Sequence, residues 1–136
     1  MNSLLLIGLN HRLAPVELRE RVAFSSERIT AALHHIVARL PQQDVQAAIL
    51  STCNRSEVYV WTSDACLASQ QVISFLAEYA SYKPEELSEK LYLLQGEAAA
   101  HHLMSVAAGL DSLVIGEDEI LGQVKDAYQI AQSAGT

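Results

Sequence analysis

Apolar and polar positions change their period several times along the chain, and each change predicts a new element. "SLLLIGLN" (3–10) is an apolar run of strand length that ends in turn-forming residues, the mark of a buried strand. Pro15 suits the first turn of a short helix over "PVELRER". Ile29, Leu33, Ile36, Val37 and Leu40 then recur at i, i+4, i+7, i+8 and i+11, one stripe of a helix, with Ser25 as its cap and Phe24 and Ile29 as a hydrophobic staple.

After Pro41, "VQAAILS" and "EVYVWT" read as strands, the second with Val58 and Val60 on one face and Tyr59 and Trp61 on the other. The short connection "TCNR" predicts that they pair antiparallel. A helix over roughly 68–82, a turn at Pro84 and a fourth strand, "KLYLLQ", complete the order β-α-β-β-α-β. The expected class is α+β, a ferredoxin-like βαββαβ sandwich.

Two helical segments follow, "EAAAHHLMSVAAG" and "EDEILGQVKDAYQIAQ", separated by "LDSLVIG" and punctuated by Gly109 and Gly116. The last has a stripe at Ile120, Val124, Ala127 and Ala131 but ends at "SAGT", with nothing beyond for a long helix to support. The expectation is a core over 1–110, then a loop and the start of a linking helix over 111–136, cut short.

Composition narrows the class. The 136 residues are half hydrophobic and 18% charged, enough for one core and unlike a disordered chain. No apolar run approaches the ~20 residues of a bilayer span, and "MNSLLLIGLNHR" lacks the basic n-region and cleavage site of a signal peptide. A soluble, cytoplasmic chain with no membrane partner is therefore expected. Two cysteines, Cys53 and Cys66, make no disulfide framework and have no metal-type spacing. The net charge of −7 is uneven, with six basic and five acidic residues up to Thr62 against three and eleven afterwards. That excludes unaided, phosphate-driven binding of nucleic acid.

The candidate chemistry gathers at three places. Cys53 lies among Thr52, Asn54 and Arg55 in the loop between the second and third strands, and Arg55 is a cation able to favour its thiolate. An inert small side chain is the competing reading. Cys66, on the flank of a stripe formed by Ala65, Ser69, Val72, Ile73 and Leu76, is assigned to packing. Helical geometry puts His102 on the border of the Leu103, Val106 and Leu110 face and His101 almost opposite, so His102 looks toward the domain body. It fits either a site residue or a half-buried histidine held by a backbone carbonyl. "GLDSLVIGEDEILGQ" sets Ser112, Glu117, Asp118, Glu119 and Gln123 around a glycine-bounded turn, although first-turn acids also complement a helix dipole. Neither a P-loop nor G-x-G-x-x-G is present.

Four blocks, "GLNHRLAPVELRERVAF", "STCNRSEVY", "HLMSVAAGLDSLVIGEDEILGQVKDAY" and "AGT", resemble the amino-terminal catalytic domain of the glutamyl-tRNA reductases over essentially the whole chain. The resemblance implies NADPH-dependent reduction of glutamyl-tRNA(Glu) to glutamate-1-semialdehyde in tetrapyrrole biosynthesis. It implies Cys53 as the thioester-forming nucleophile and His102 as an acid, base or polarising donor. Thr52, Asn54, Arg55, Ser112, Glu117, Asp118, Glu119 and Gln123 align with the lining of the glutamate pocket, where Arg55 suits a substrate carboxylate. Glu119 departs from a family pattern that carries an amide there.

The same resemblance implies a spinal helix, an NADPH-binding domain and a dimerisation domain that this chain lacks. It further implies a homodimer through the last of these, and an aminotransferase or regulatory protein as partner. The competing expectation is a non-catalytic module that keeps the fold and binds a regulator or a ligand such as haem through Cys53 or His102.

Overall fold

The computed structural model describes residues 2–10, 12–40, 45–52, 54–107 and 119–135. Cys53, Gly109, Ser112, Gly116, Glu117 and Asp118 lie outside the described residues, as do the side chains of Glu119 and Ile120. The elements run β1 (Ser3–Asn10), α1 (Val16–Arg21), α2 (Ser26–Ala38), β2 (Gln46–Ser51), β3 (Arg55–Thr62), α3 (Ala65–Ala80), α4 (Pro84–Ser88), β4 (Tyr92–Gln95), α5 (Glu97–Ala107) and α6 (Glu119–Ala134).

Helices and strands are mixed, and the four strands form one antiparallel sheet in the order β2-β3-β1-β4. The expected antiparallel pairing of the second and third strands is present, with Ser51 opposite Ser56 and Gln46 opposite Trp61. Alternation along β3 assigns the two faces as expected. Val58 and Val60 join the larger core with Leu5, Ile7 and Leu9 of β1, Leu33 and Ile36 of α2, and Val72 and Leu76 of α3. Tyr59 joins a smaller cluster with Leu6, Leu50, Ala99, Val106 and Ala127, under α5 and α6. The continuous apolar run in β1 follows from its place between β3 and β4, buried on both faces.

Helix α6 packs on β2, α2 and α5. Its stripe straddles both cores, Ala127 in the smaller and Ala131 in the larger. At its end, the carbonyl of Ala134 lies 2.8 Å from His34 Nε2 on α2. The edge strand β2 is thus covered by a helix, one of the ways proteins protect unpaired sheet edges.

Three local expectations are corrected. Ser25 occupies the N-cap position of α2 with extended backbone, but its side chain makes no capping bond. Helix α3 begins at Ala65 because Asp64 caps it, the carboxylate accepting from the Leu67 N–H at 3.0 Å. The buried face of α3 runs through Ala68, Val72, Phe75 and Leu76 with Cys66 well round the helix from it, so the cysteine assigned to packing faces solvent.

Helix α3 ends because Ser81 takes a left-handed conformation, φ 57°, and the Tyr82 N–H reaches back to the Ala77 carbonyl at 2.9 Å. A side chain is strained there and glycine is not. Ser81→Gly is therefore expected to stabilise the domain by about 0.5–1 kcal/mol, read as a higher urea midpoint. An unchanged or lower midpoint would mean that the serine is not strained.

Candidate functional site

Thr52 and Arg55 bracket the connection that carries position 53. The Thr52 N–H donates to the Arg55 carbonyl at 2.8 Å. The Thr52 hydroxyl oxygen accepts from the Asn54 and Arg55 N–H groups, each at 3.2 Å. These bonds satisfy backbone donors that a strand ladder would otherwise have used, and they hold the two strand ends together. Ser51, one residue earlier, ties this end of the sheet to the α1–α2 junction. Its Oγ accepts from the Phe24 N–H at 2.9 Å and lies 3.1 Å from Ser56 Oγ, which in turn donates to the Val22 carbonyl at 3.0 Å.

From Arg55 the period of two places Glu57 and Tyr59 on the same face of β3. Arg55 and Glu57 are both buried, and Arg55 Nη1 lies 3.4 Å from Glu57 Oε2. Four side chains converge on this one carboxylate. Tyr59 donates its hydroxyl to Oε1 at 2.8 Å, while Tyr92 of β4 and His102 Nε2 of α5, at 2.6 Å, meet Oε2 beside Arg55. The Tyr92 and His102 rings also touch, their centroids 5.2 Å apart and inclined at 48°.

Glycine at position 8 makes this convergence geometrically feasible. In the sheet Gly8 lies opposite Glu57 on one side and Tyr92 on the other, so the carboxylate and the phenol meet across β1. A Cβ on Gly8 would stand 2.9 Å from Glu57 Cγ and 3.1 Å from the Tyr92 hydroxyl. The strand gives up a side chain to make room for the polar cluster.

Electrostatics follow from burial and donors. Burial pushes the Glu57 carboxyl up, but hydrogen bonds from His102 and Tyr92, with the charges of His102 and Arg55, outweigh it and bring it below the ordinary carboxylate range. Burial, then the charge of Glu57 and the hydrogen bond to it, raise the Tyr59 phenol, which stays protonated as a donor.

The structure unites several residues named from the sequence. His102 is turned into the domain and His101 is exposed, as helical geometry predicts, but the partner of His102 is a carboxylate rather than a backbone carbonyl. Thr52, Asn54 and Arg55 sit at the β2–β3 connection, with Arg55 engaged by Glu57 inside the domain. Gln123 of α6 lines a cleft of about 220 Å³ with Phe24, Ser51 and Asp126. A second cleft, about 640 Å³, is bordered by Ser51, Thr52, Ser25 and Arg28. Ser51 thus stands between two openings beside the connection. Among the described residues no group of three His, Cys, Asp or Glu side chains could hold a metal ion.

Sequence reasoning missed Glu57, Tyr59 and Tyr92. The available signal was an acid leading an otherwise apolar strand, in phase with Arg55 and Tyr59.

Comparison with known proteins agrees along the whole length. The family model described as "Glutamyl-tRNAGlu reductase, N-terminal domain" matches residues 7–136. The glutamyl-tRNA reductase of Alkalilimnicola ehrlichii is 51% identical over 134 residues, covering 98% of this chain and 29% of that protein. That of Pseudomonas syringae pv. syringae is 46% identical over 132 residues, covering 97% of this chain and 30% of the relative. The solved structure of glutamyl-tRNA reductase from Methanopyrus kandleri matches 98% of this chain and 29% of its own, with a TM-score of 0.67 and 29% identity. The chain spans about 30% of the length of the relatives it matches. With a family match from residue 7 to the last residue, and relatives near half-identical throughout, this chain belongs to the glutamyl-tRNA reductase family as its N-terminal domain.

Proposed function

We propose that the chain is the acyl-transfer part of an NADPH-dependent glutamyl-tRNA reductase acting in tetrapyrrole biosynthesis. Its fold is read as a ferredoxin-like core over 1–110, from the sheet order β2-β3-β1-β4, followed over 111–136 by an active-site loop and the start of a linking helix. Cys53 is the nucleophile. Its thiolate attacks the carbonyl carbon of the glutamyl ester, the carbon–sulfur bond forms, and the ester carbon–oxygen bond breaks. The tRNA leaves as its terminal hydroxyl after taking up a proton, and His102 is the group assigned to proton exchange.

Thr52, Asn54, Arg55, Ser112, Glu117, Asp118, Glu119 and Gln123 are assigned to the glutamyl group. One observation carries the reading: the connection that bears Cys53 is joined, through Arg55 and Glu57, to His102.

The described residues do not fit NADPH. The sheet is antiparallel throughout, without the parallel crossover whose crevice binds dinucleotides, and the sequence has no G-x-G-x-x-G. Hydride delivery is therefore assigned to a domain outside this chain, as is dimerisation. An aminotransferase receiving the aldehyde product, or a regulatory protein, is the proposed partner. No helix among the described residues is long and apolar enough to cross a membrane, which suits a cytoplasmic enzyme meeting tRNA.

The test is acylation. Incubation with glutamyl-tRNA is expected to leave a glutamyl group on Cys53, seen by mass spectrometry, abolished by Cys53→Ser and retained in Cys66→Ser. A folded chain that neither acquires the adduct nor cleaves the ester would overturn the reading and favour a binding module.

A further inference from the structure

We propose that Glu57, braced by Tyr59 and Tyr92, is a positioning residue that fixes His102 with its proton on Nε2, so that Nδ1 is the nitrogen offered to substrate. The inference rests on His102 serving the acyl transfer described above, and it deepens that reading to a single atom.

An ionised carboxylate only accepts hydrogen bonds. Every group that meets Glu57 must therefore donate: the two phenols, the guanidinium of Arg55 and the imidazole of His102. A neutral imidazole has one N–H, and the bond to Glu57 places it on Nε2. The lone pair then belongs to Nδ1, which has no hydrogen-bond partner among the described residues.

Accessibility agrees with this division. Glu57 is fully buried, whereas 16% of the His102 side chain remains exposed. Of these two, the histidine is the one with surface to offer a substrate.

Tyr92 has two roles in this arrangement. Its hydroxyl meets the same carboxylate oxygen as His102, and its ring lies against the imidazole, limiting rotation about the histidine side chain. It stands opposite Gly8, across which it reaches Glu57. Because Tyr59 takes the other oxygen, neither carboxylate oxygen is left to rotate freely. This differs from an arrangement in which a carboxylate binds Nδ1–H and leaves Nε2 to react, as in serine-protease triads. Here the nitrogen nearer the helix backbone does the work, which requires the substrate to approach close to α5.

The experiment is nitrogen-15 NMR of the 136-residue chain, with His102 identified by its absence in His102→Gln. In the spectrum of the singly protonated imidazole, the one-bond N–H correlation is expected at Nε2. A dominant Nδ1–H form, or an even mixture, would overturn the proposal. In Tyr92→Phe, which keeps the ring, the Nε2-bound proton is expected to be lost to solvent exchange and glutamyl transfer to slow about tenfold at unchanged KM. An unaltered His102 signal in that variant would remove Tyr92 from the role. The tautomer is read without substrate, so failure of acylation and failure of this assignment are separate results.

Discussion

Replacing Glu57 with glutamine is expected to destabilise the domain by about 3–5 kcal/mol near neutral pH, the usual effect of removing one partner from a buried ion pair. Four donors face this side chain, and an amide would present them with two donors of its own. Arg55, 1% exposed, would lose its buried ion pair with Glu57. The near-identical shape of glutamine keeps cavity formation out of the comparison.

Acid should narrow the difference. The folded carboxyl lies below its ordinary value of 4.5, so the unfolded chain takes up a proton first. Stability from Glu57 is therefore fully present above that value and is lost as pH falls through the folded one. Urea denaturation of both proteins from neutral pH down to about 3 is expected to show a shrinking gap. A gap independent of pH would show that the charge on Glu57 contributes nothing.

Gly8→Ala is expected to cost about 1–3 kcal/mol, the range for overpacking a filled interior, and to slow the proposed glutamyl transfer to Cys53 by about tenfold or more. The new methyl would lie 2.9 Å from Glu57 Cγ, 3.0 Å from the Ser56 carbonyl oxygen and 3.1 Å from the Tyr92 hydroxyl. The glutamate and tyrosine side chains can yield only by moving off each other and off His102, and the carbonyl belongs to the strand ladder. Gly8 has no positive φ, so backbone strain does not enter. A variant with wild-type denaturation and an undisturbed His102 spectrum would show that β1 shifts to absorb the methyl.

How legible the fold was depends on the range of the interaction involved. The strand of 3–10, the stripe from Ile29 to Leu40 and the pairing across "TCNR" are local patterns, and the structure contains all three. Cys66 is misplaced because the expected stripe of Ala65, Ser69, Val72, Ile73 and Leu76 is centred too near it, whereas the buried face runs through Ala68, Val72, Phe75 and Leu76. Glu57 was hidden for another reason: its meaning comes from Tyr92, 35 residues away, and from Gly8 between them. That juxtaposition exists only once β4 has its register on β1, which no single segment encodes. The orientation of His102 followed from helical period, but the carboxylate waiting for it did not.

The path of α6 around β2 has a consequence for the order in which the molecule is made. The ribosome delivers β2 long before α6, so the strand's outer backbone groups stay open while the remaining strands are synthesised. An unpaired edge of this kind invites association between chains, and residues 119–134 supply its cover. Closing this edge therefore waits for α6, and His34 is the residue that receives the end of that helix.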